Sequence, residues 1–313
     1  GQVAQTSFMT RKDPVTKANT AHGQEFYSDG RTAIIIMNPD DSDQSQSFSS
    51  LFCAVLQNKN PDGGEWEQCA KWISPVETNP KNVSLEGISN EYRILIVPGL
   101  MNTCFKGAPP YKEGQEYLKK TYGLTVEMLP LPNDSTEDNA AKLGAYLREK
   151  MKEDKRKYIV IGYSKGTPDF QVALVKEQGV KEATAAFVSI GGASGGSAGD
   201  PPAFLAGGVG VRYRRNAGDL STKVRRAFLA SYPHPVVPTY SIASVSDAQN
   251  TSKMLMQTKL ILDSVSRKND SQLTEEDQII PESVYLGTAL ADHFAVALPF
   301  ETSQEAIRSQ TDK

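Results

Sequence analysis

Short apolar runs alternate with longer helical stretches between residues 92 and 190, and this alternation constrains the fold more than any other feature. The runs cover residues 93–97, 124–129, 157–162 and 185–190. Continuous apolar runs of this length are typical of strands that are buried on both faces of a parallel sheet. Helices between them imply βαβ units. We therefore predict an α/β fold in which a mostly parallel central sheet carries helices on both faces.

The helical stretches between these runs are predicted at residues 110–122, 135–154 and 167–178, and further strands at 240–245 and 284–287. Residues 1–90 are predicted to form an N-terminal extension that packs on the core, and residues 91–313 the main domain. Within the extension, the polar residues 1–30 show no period and predict an irregular arm. A short strand at 32–37, a helix at 48–57 and a loop at 74–90 are expected to follow.

Residues 200–235 interrupt the alternation of strands and helices and predict a small cap inserted over one end of the sheet. The segment contains several Pro and Gly residues and a cluster of Arg and Lys that is typical of a solvated helix face. Its apolar residues predict either a pocket for an acyl chain or simple packing: Phe204, Leu205 and Phe228.

The composition is that of an ordinary globular protein and narrows the range of partners. Of the 313 residues, 39% are hydrophobic and 23% charged, and the net charge is -3. Without a strong charge bias there is no reason to expect a nucleic-acid partner. No apolar run approaches the roughly 20 residues of a membrane-spanning helix. The three His residues are far apart in sequence and no CxxC occurs, so we expect no metal and no other cofactor.

The three cysteines leave two alternatives open. Cys53 and Cys69 flank a turn-rich stretch that could bring them together in a disulfide, while Cys104 would remain unpaired. Three free thiols are the other interpretation. The sequence begins at Gly1 rather than Met, which indicates either that a targeting segment has been removed or that Gly1 is left over from cloning.

A G-x-S-x-G motif at residues 162–166 is the strongest indication of chemistry. Five residues with two fixed glycines recur by chance, but here a predicted buried strand leads into the motif and a helix leaves it. This context is that of a nucleophile elbow, which predicts Ser164 as a nucleophile. The alternative is a plain Gly-Ser turn between a strand and a helix.

A serine nucleophile needs a base and an acid, which follow it in the order acid and then His in folds of this type. His293 satisfies this order, whereas His22 does not and His234 is flanked by two prolines. For the acid, position leaves three residues open: Asp247, Asp270 and Asp277. Asp292 is a poor choice because neighbouring side chains rarely point at each other.

Two backbone N–H groups are needed to bind the oxyanion that develops during acyl transfer. Lys165 directly follows the nucleophile and is predicted to supply one of them. Leu100 lies in the loop after the strand at 93–97 and is predicted to supply the other, since Gly99 allows the backbone to approach closely.

Four segments together resemble the lipase and esterase branch of the α/β hydrolases. They are residues 96–100, the motif at 162–166, the Gly-rich stretch at 189–197, and Asn269-Asp270 followed by Asp292-His293. The resemblance implies Asp270 as the triad acid, with Asp247 second. Pro98 stands where this family has His, and Ser271 where it has Gly after the acid.

The resemblance implies a serine hydrolase that cleaves carboxylic esters, with a small-molecule or lipid ester as substrate. A thioesterase, an acyltransferase or a non-catalytic binding protein on the same scaffold are the alternatives. Together with a Cys53–Cys69 bridge, the resemblance favours an exported protein over a cytoplasmic one. The sequence gives no prediction of oligomeric state.

Overall fold

The computed structural model describes most of the chain. The described residues are 3–12, 19–27, 33–36, 42–59, 66–75, 87–100, 109–198 and 218–298. Within these residues, no helix is both long enough and apolar enough to cross a membrane.

A seven-stranded sheet forms the centre of the molecule. Its strands are β4 (Ile73–Ser74), β5 (Tyr92–Val97), β6 (Val126–Met128), β7 (Lys157–Tyr163), β8 (Thr184–Ile190), β9 (Thr239–Val245) and β10 (Val284–Leu290). They lie in the order β4-β10-β9-β8-β7-β5-β6. All neighbours pair in parallel except β4, which is antiparallel to β10. The predicted α/β fold with a mostly parallel sheet is thereby confirmed.

Helices cover both faces of this sheet. They are α1 (Ser45–Lys59), α2 (Ile88–Glu91), α3 (Lys112–Tyr122), α4 (Thr136–Glu153), α5 (Gly166–Lys176), α6 (Val180–Ala183), α7 (Thr222–Ser231), α8 (Met256–Asp263) and α9 (Glu275–Gln278). Side chains of β5 alternate between two core clusters. Leu95 and Val97 pack with residues of α4 and α5. Ile94 and Ile96 pack with residues of α3 on the opposite face, as the alternation of a strand requires.

Local sequence determines where the helices begin and end. Ser135 caps α4, because its hydroxyl accepts a hydrogen bond from the N–H of Asp138 at 3.1 Å. Acidic residues in the first turn then complement the positive end of the helix dipole. The helix predicted at 135–154 therefore matches the observed one within a residue at each end.

The N-terminal residues differ from the prediction of an irregular arm. They form a three-stranded antiparallel sheet of β1 (Val3–Lys12), β2 (Asn19–Tyr27) and β3 (Ala33–Ile36). The prediction failed for β1 and β2 because these strands carry no clear alternation of apolar and polar residues, which is the signal by which a half-buried strand is recognised. Strand β3 confirms the strand predicted at 32–37.

Residues 42–75 join the central sheet directly. Strand β4 extends its edge beyond β10, and Phe48 of α1 packs against side chains of β9 and β10. A disulfide between Cys53 and Cys69, with their Cα atoms 5.6 Å apart, links α1 to the short 3₁₀ helix before β4. The disulfide settles which of the two cysteine alternatives holds. The domain boundary at residue 90 stays a prediction.

Much of the predicted cap, including Phe204 and Leu205, lies outside the described residues. Its last part forms α7, where Phe228 packs against the core. The basic cluster is not wholly solvated. Arg225 is buried, and its guanidinium donates to the carbonyl of Ser194 at 3.0 Å and to the side chain of Gln171 at 2.6 Å.

Candidate active site

Ser164 lies in a strained turn between the end of β7 and the start of α5. Its φ angle is 53°, in the left-handed region that residues with a side chain rarely adopt. Such strain persists only where the surrounding structure enforces it, and it is concentrated at functional sites. The turn places the half-buried Ser164 at the carboxyl-terminal edge of the sheet, where ligands of α/β folds bind.

Two glycines allow the chain to pack closely around this turn. A Cβ atom on Gly166 would lie 2.1 Å from the carbonyl oxygen of Val97, and one on Gly99 would lie 2.6 Å from Cβ of Ser164. A side chain at either position would therefore push the turn away from the segment that follows β5. The close approach holds the segment after β5, with Gly99, against the turn that carries Ser164.

His293 lies in the loop after β10 and faces Ser164. Its Nε2 atom is 2.8 Å from Oγ of Ser164, and its Nδ1 atom is 2.7 Å from Oδ2 of Asp270. Because an ionised carboxylate can only accept, Nδ1 carries the hydrogen in the neutral ring and Nε2 accepts from the Ser164 hydroxyl. The three side chains thus form one continuous chain of hydrogen bonds.

Tyr163, the residue before Ser164, holds the His293 loop in place. The two rings stack with centroids 5.3 Å apart and an angle of 28° between their planes. The Tyr163 hydroxyl donates to the backbone carbonyl of His293. Burial holds the pKa of this hydroxyl well above its usual range, so Tyr163 donates as a neutral phenol. One residue therefore couples the strained turn to the loop that carries His293.

Asp270 is fully buried, and four donors surround its carboxylate. Besides His293, Oδ2 accepts from the hydroxyl of Ser244 at 2.9 Å. The other oxygen, Oδ1, accepts from the N–H groups of Gln272 at 2.9 Å and Leu273 at 2.8 Å. These bonds fix both oxygens and aim one of them at the imidazole.

The turn beside Asp270 explains one departure from the lipase and esterase pattern. Ser271, which stands where that pattern has Gly, has a φ angle of 79°. This is the left-handed conformation that Gly adopts without cost. The N–H of Ser271 donates to the side chain of Asn269 at 2.9 Å, which helps to hold the turn.

Ser244 and Gln278 support Asp270 and were not predicted from the sequence. Gln278 accepts from the N–H of Ser244 at 2.7 Å and donates back to its carbonyl at 2.9 Å. It thereby fixes the end of β9, from which the Ser244 hydroxyl reaches Asp270. A polar residue at the carboxyl end of a buried strand was the available signal for Ser244, whereas Gln278 offered none.

The other acids that the sequence left open have different partners. Asp247 is exposed and accepts from the N–H groups of the turn that follows it. Asp277 caps its own helix together with Thr274. Asp292 accepts from the N–H groups of Phe294 and Ala295, and burial raises the pKa of its carboxyl. Of the acids that were considered, Asp270 is the one the structure bonds to His293.

Lys165 directly follows Ser164, and its side chain turns into the protein rather than towards the site. Its ammonium group is buried and lies 2.5 Å from Oδ1 of Asp169, one helical turn further on. Oδ2 of Asp169 accepts from the side chain of Asn139 at 2.8 Å. Burial raises the pKa of Asp169 to about 6, although Lys165 and Asn139 act in the opposite direction.

The remaining histidines lie elsewhere. His22 is in β2, and His234 is exposed and bonds to Glu282 at 2.7 Å. Among the residues that the structure describes, no group of three or more His, Cys, Asp or Glu side chains is arranged to hold a metal ion.

The fold is that of known esterases and lipases. The structure is similar to a metagenomic carboxyl esterase, with a TM-score of 0.69 and 21% identity over 91% of this chain and 93% of that one. It is also similar to the lipase BlEst2 of Bacillus licheniformis. The mature form gives a TM-score of 0.53 and 23% identity over 65% of this chain and 85% of that one. These likenesses establish the α/β-hydrolase fold. No family model and no curated protein matches the sequence.

Proposed function

We propose that the protein hydrolyses carboxylic esters through an acyl-enzyme intermediate on Ser164. The hydrogen-bonded chain from Ser164 through His293 to Asp270 carries this proposal. Each member has the geometry its role requires: a nucleophile within hydrogen-bond reach of a base, and a base oriented by a buried acid.

In the first half of the reaction, Oγ of Ser164 attacks the carbonyl carbon of the ester while Nε2 of His293 takes the hydroxyl proton. The carbonyl oxygen becomes an oxyanion, which the N–H groups of Lys165 and Leu100 stabilise. When the tetrahedral intermediate collapses, the bond between carbon and the alcohol oxygen breaks. His293 gives its proton to that oxygen, the alcohol leaves, and the acyl group remains on Ser164.

In the second half, a water molecule replaces the alcohol. His293 takes a proton from the water as its oxygen attacks the acyl carbon, and the same two N–H groups bind the second oxyanion. Collapse breaks the bond to Oγ, the proton returns to Ser164, and the carboxylic acid leaves. In both halves Asp270 holds the imidazole in the required tautomer and stabilises its protonated form.

A small-molecule or lipid ester is the proposed substrate class. The solved structures of similar fold carry the names carboxyl esterase and lipase, which supports an ester rather than another acyl compound. Hydrolysis of p-nitrophenyl esters of increasing chain length would locate the preferred acyl chain.

Active-site labelling tests the proposal. We expect a fluorophosphonate probe to label the wild-type protein, and we expect both Ser164→Ala and His293→Gln to abolish labelling and ester hydrolysis. Ser231→Ala, which alters an exposed serine of α7, is the matched control and should behave like the wild type. Equal labelling of the wild type and Ser164→Ala, or no turnover of any ester by the wild type, would reject the proposal.

We also propose that the protein is exported. The buried Cys53–Cys69 disulfide supports this, because disulfides persist in oxidising compartments and are rare in the cytosol. When the protein is isolated from its native source with alkylation during lysis, mass analysis should find one alkylated cysteine, and therefore one free thiol, per chain. Three free thiols would argue for the cytoplasm.

A further inference from the structure

Helix α8 buries Leu262, but it also turns polar residues towards the interior and apolar residues towards solvent. Thr258 and Lys259 face the protein interior, where Lys259 is 2% exposed. Leu260 is 67% exposed, and Ile261 lies beside it on the outer surface. A surface helix normally turns its apolar residues to the core and its charged residues to water. The apolar outer face therefore calls for an explanation other than folding.

The inward polar residues are bound to the loop that carries Asp270. The Lys259 ammonium lies 2.9 Å from Asp263 and donates to the side chain of Asn269 at 3.2 Å. The side chain of Gln272 donates to the hydroxyl of Thr258 at 3.1 Å. These bonds fix the rotation of the helix, so its apolar face cannot turn inwards without breaking them.

The exposed apolar residues form a row along residues 254–265. Leu260 and Ile261 belong to α8, Met254 lies in the 3₁₀ turn before it, and Val265, which is 58% exposed, lies in the turn after it. Single exposed apolar residues are normal on a protein surface, but a contiguous row indicates an interaction site.

Exposed basic residues flank this row at both ends. Lys253 precedes it, and Arg267 and Lys268 follow it, although Lys268 also pairs with Glu275 at 3.3 Å. The one acidic residue of α8, Asp263, is paired with Lys259. An apolar stripe with a cationic rim is complementary to a layer of anionic headgroups over acyl chains.

The same features disfavour a second copy of the chain as the occupant. In a symmetric dimer the two basic rims would face each other and repel. Four partly exposed side chains also offer far less than the roughly 800 Å² per partner that a stable protein interface buries.

We propose that the outer face of α8 and of the turns on either side of it, defined by Met254, Leu260, Ile261 and Val265 with its basic rim, binds the surface of anionic lipid aggregates. Residues of α8 bond to the loop that carries Asp270, and Leu255, directly before the helix, packs against Phe294 beside His293. Docking therefore holds the site at the surface from which a lipid ester is drawn. The effect of this docking on catalysis depends on the proposed function, but lipid binding itself does not.

Vesicle binding by the Ser164→Ala protein tests the proposal without catalysis. We expect co-sedimentation with vesicles of phosphatidylglycerol and phosphatidylcholine, weaker binding to phosphatidylcholine alone, and weaker binding at high salt. The variant Leu260→Ser/Ile261→Ser/Val265→Ser should bind at least tenfold more weakly. Val224→Ser, which alters an exposed apolar residue of α7, should bind unchanged. Lys253→Gln/Lys268→Gln is the second variant and should lose the preference for the anionic lipid.

Two outcomes would overturn the proposal: equal vesicle binding by the triple variant and its parent, or a concentration-dependent dimer that the triple substitution dissociates. With Ser164 intact, the triple variant should hydrolyse soluble p-nitrophenyl acetate at the wild-type rate. Failure of the proposed function is recognised separately, as vesicle binding by a wild-type protein that turns over no ester.

Discussion

Two buried carboxylates belong to the surroundings of Ser164, and their partners differ: Asp270 bonds to His293, and Asp169 pairs with the neighbouring Lys165. Asp270 accepts from His293, Ser244 and two backbone N–H groups of its own turn. Asp169 is paired with Lys165, its neighbour four residues earlier in the chain, and accepts from Asn139. The first arrangement is assembled from distant segments at the edge of the sheet. The second belongs mainly to one helix.

The difference indicates that the two carboxylates have different roles around the strained turn. The donors to Asp270 aim it at the imidazole and leave His293 in contact with the Ser164 hydroxyl. The Lys165–Asp169 pair stabilises the start of α5, directly after Lys165, whose N–H group is one of the two proposed oxyanion donors. Altering Asp270 should therefore change the chemistry, and altering the pair should change stability.

Asp270→Asn should have the largest effect. An amide at this position can donate to Nδ1, which favours the tautomer whose Nε2 carries the hydrogen and cannot accept from Ser164. We expect kcat/KM for p-nitrophenyl butyrate to fall about 10⁴-fold with the melting temperature little changed. Asp247→Asn is the control and should keep full activity. Comparable losses in both variants would mean that Asp270 has no special role.

Lys165→Met should lower the stability of the protein and leave most of its activity. The substitution keeps the backbone N–H but leaves the buried Asp169 carboxylate without its cation, which typically costs about 3–5 kcal/mol. We expect the free energy of unfolding in urea to fall by this order, while the folded fraction retains most of its kcat. Lys165→Met/Asp169→Leu removes both charges and should recover much of the stability. A loss of kcat in both variants at equal stability would place the Lys165 side chain in the chemistry.

The two arrangements leave unequal signals in the sequence, and the Lys165–Asp169 pair was not predicted. The spacing of Lys165 and Asp169 is a helical ion-pair pattern that can be recognised in any sequence. The convergence of Ser244, Asp270 and His293 depends on which strands become neighbours. That is decided by the packing of the whole sheet, so no local pattern contains it. Asp270 was preferred over Asp247 only through the resemblance to lipases and esterases.

The strands predicted at 93–97, 124–129, 157–162 and 185–190 were found because each is a continuous apolar run bounded by turn residues. Strands β1 and β2 lack this signal and were missed, as was the two-residue β4, whereas β3 is the strand predicted at 32–37. Tyr163 occupies a variable position of the G-x-S-x-G motif, so the motif does not predict its role. Its ring stacks on His293, which is 130 positions away in sequence. The exposed apolar residues of α8 could not be recognised either, since a helical pattern does not reveal which face is buried.

The pH dependence of the free energy of unfolding tests the Asp169 side of this comparison, with a smaller expected effect. The pKa of Asp169 is about 6 in the folded protein, above its ordinary value of 3.8, so the folded state binds the proton more tightly. Its contribution to stability is therefore fully present below pH 3.8 and is lost as pH rises through about 6. The change is about 3 kcal/mol at most. The stability of the wild type relative to Asp169→Asn should fall from pH 4 to pH 7. A constant difference would show that Asp169 titrates normally.

Ser244→Ala should have the smallest effect and tests whether the donors to Asp270 act on catalysis. The substitution removes one hydrogen bond to a carboxylate, and such bonds contribute about 1.5–3 kcal/mol. Because the hydroxyl is shared with Gln278, we expect the low end of this range, about a tenfold fall in kcat with KM unchanged. Ser241→Ala is the matched control, since it removes a buried hydroxyl of the same strand that bonds to Ser283 and to the N–H of Ile280. Both variants should lose similar stability. A fall in kcat confined to Ser244→Ala would show that Ser244 positions Asp270 and does not only support β9. Equal values of kcat in the two variants would show that Ser244 is a structural residue.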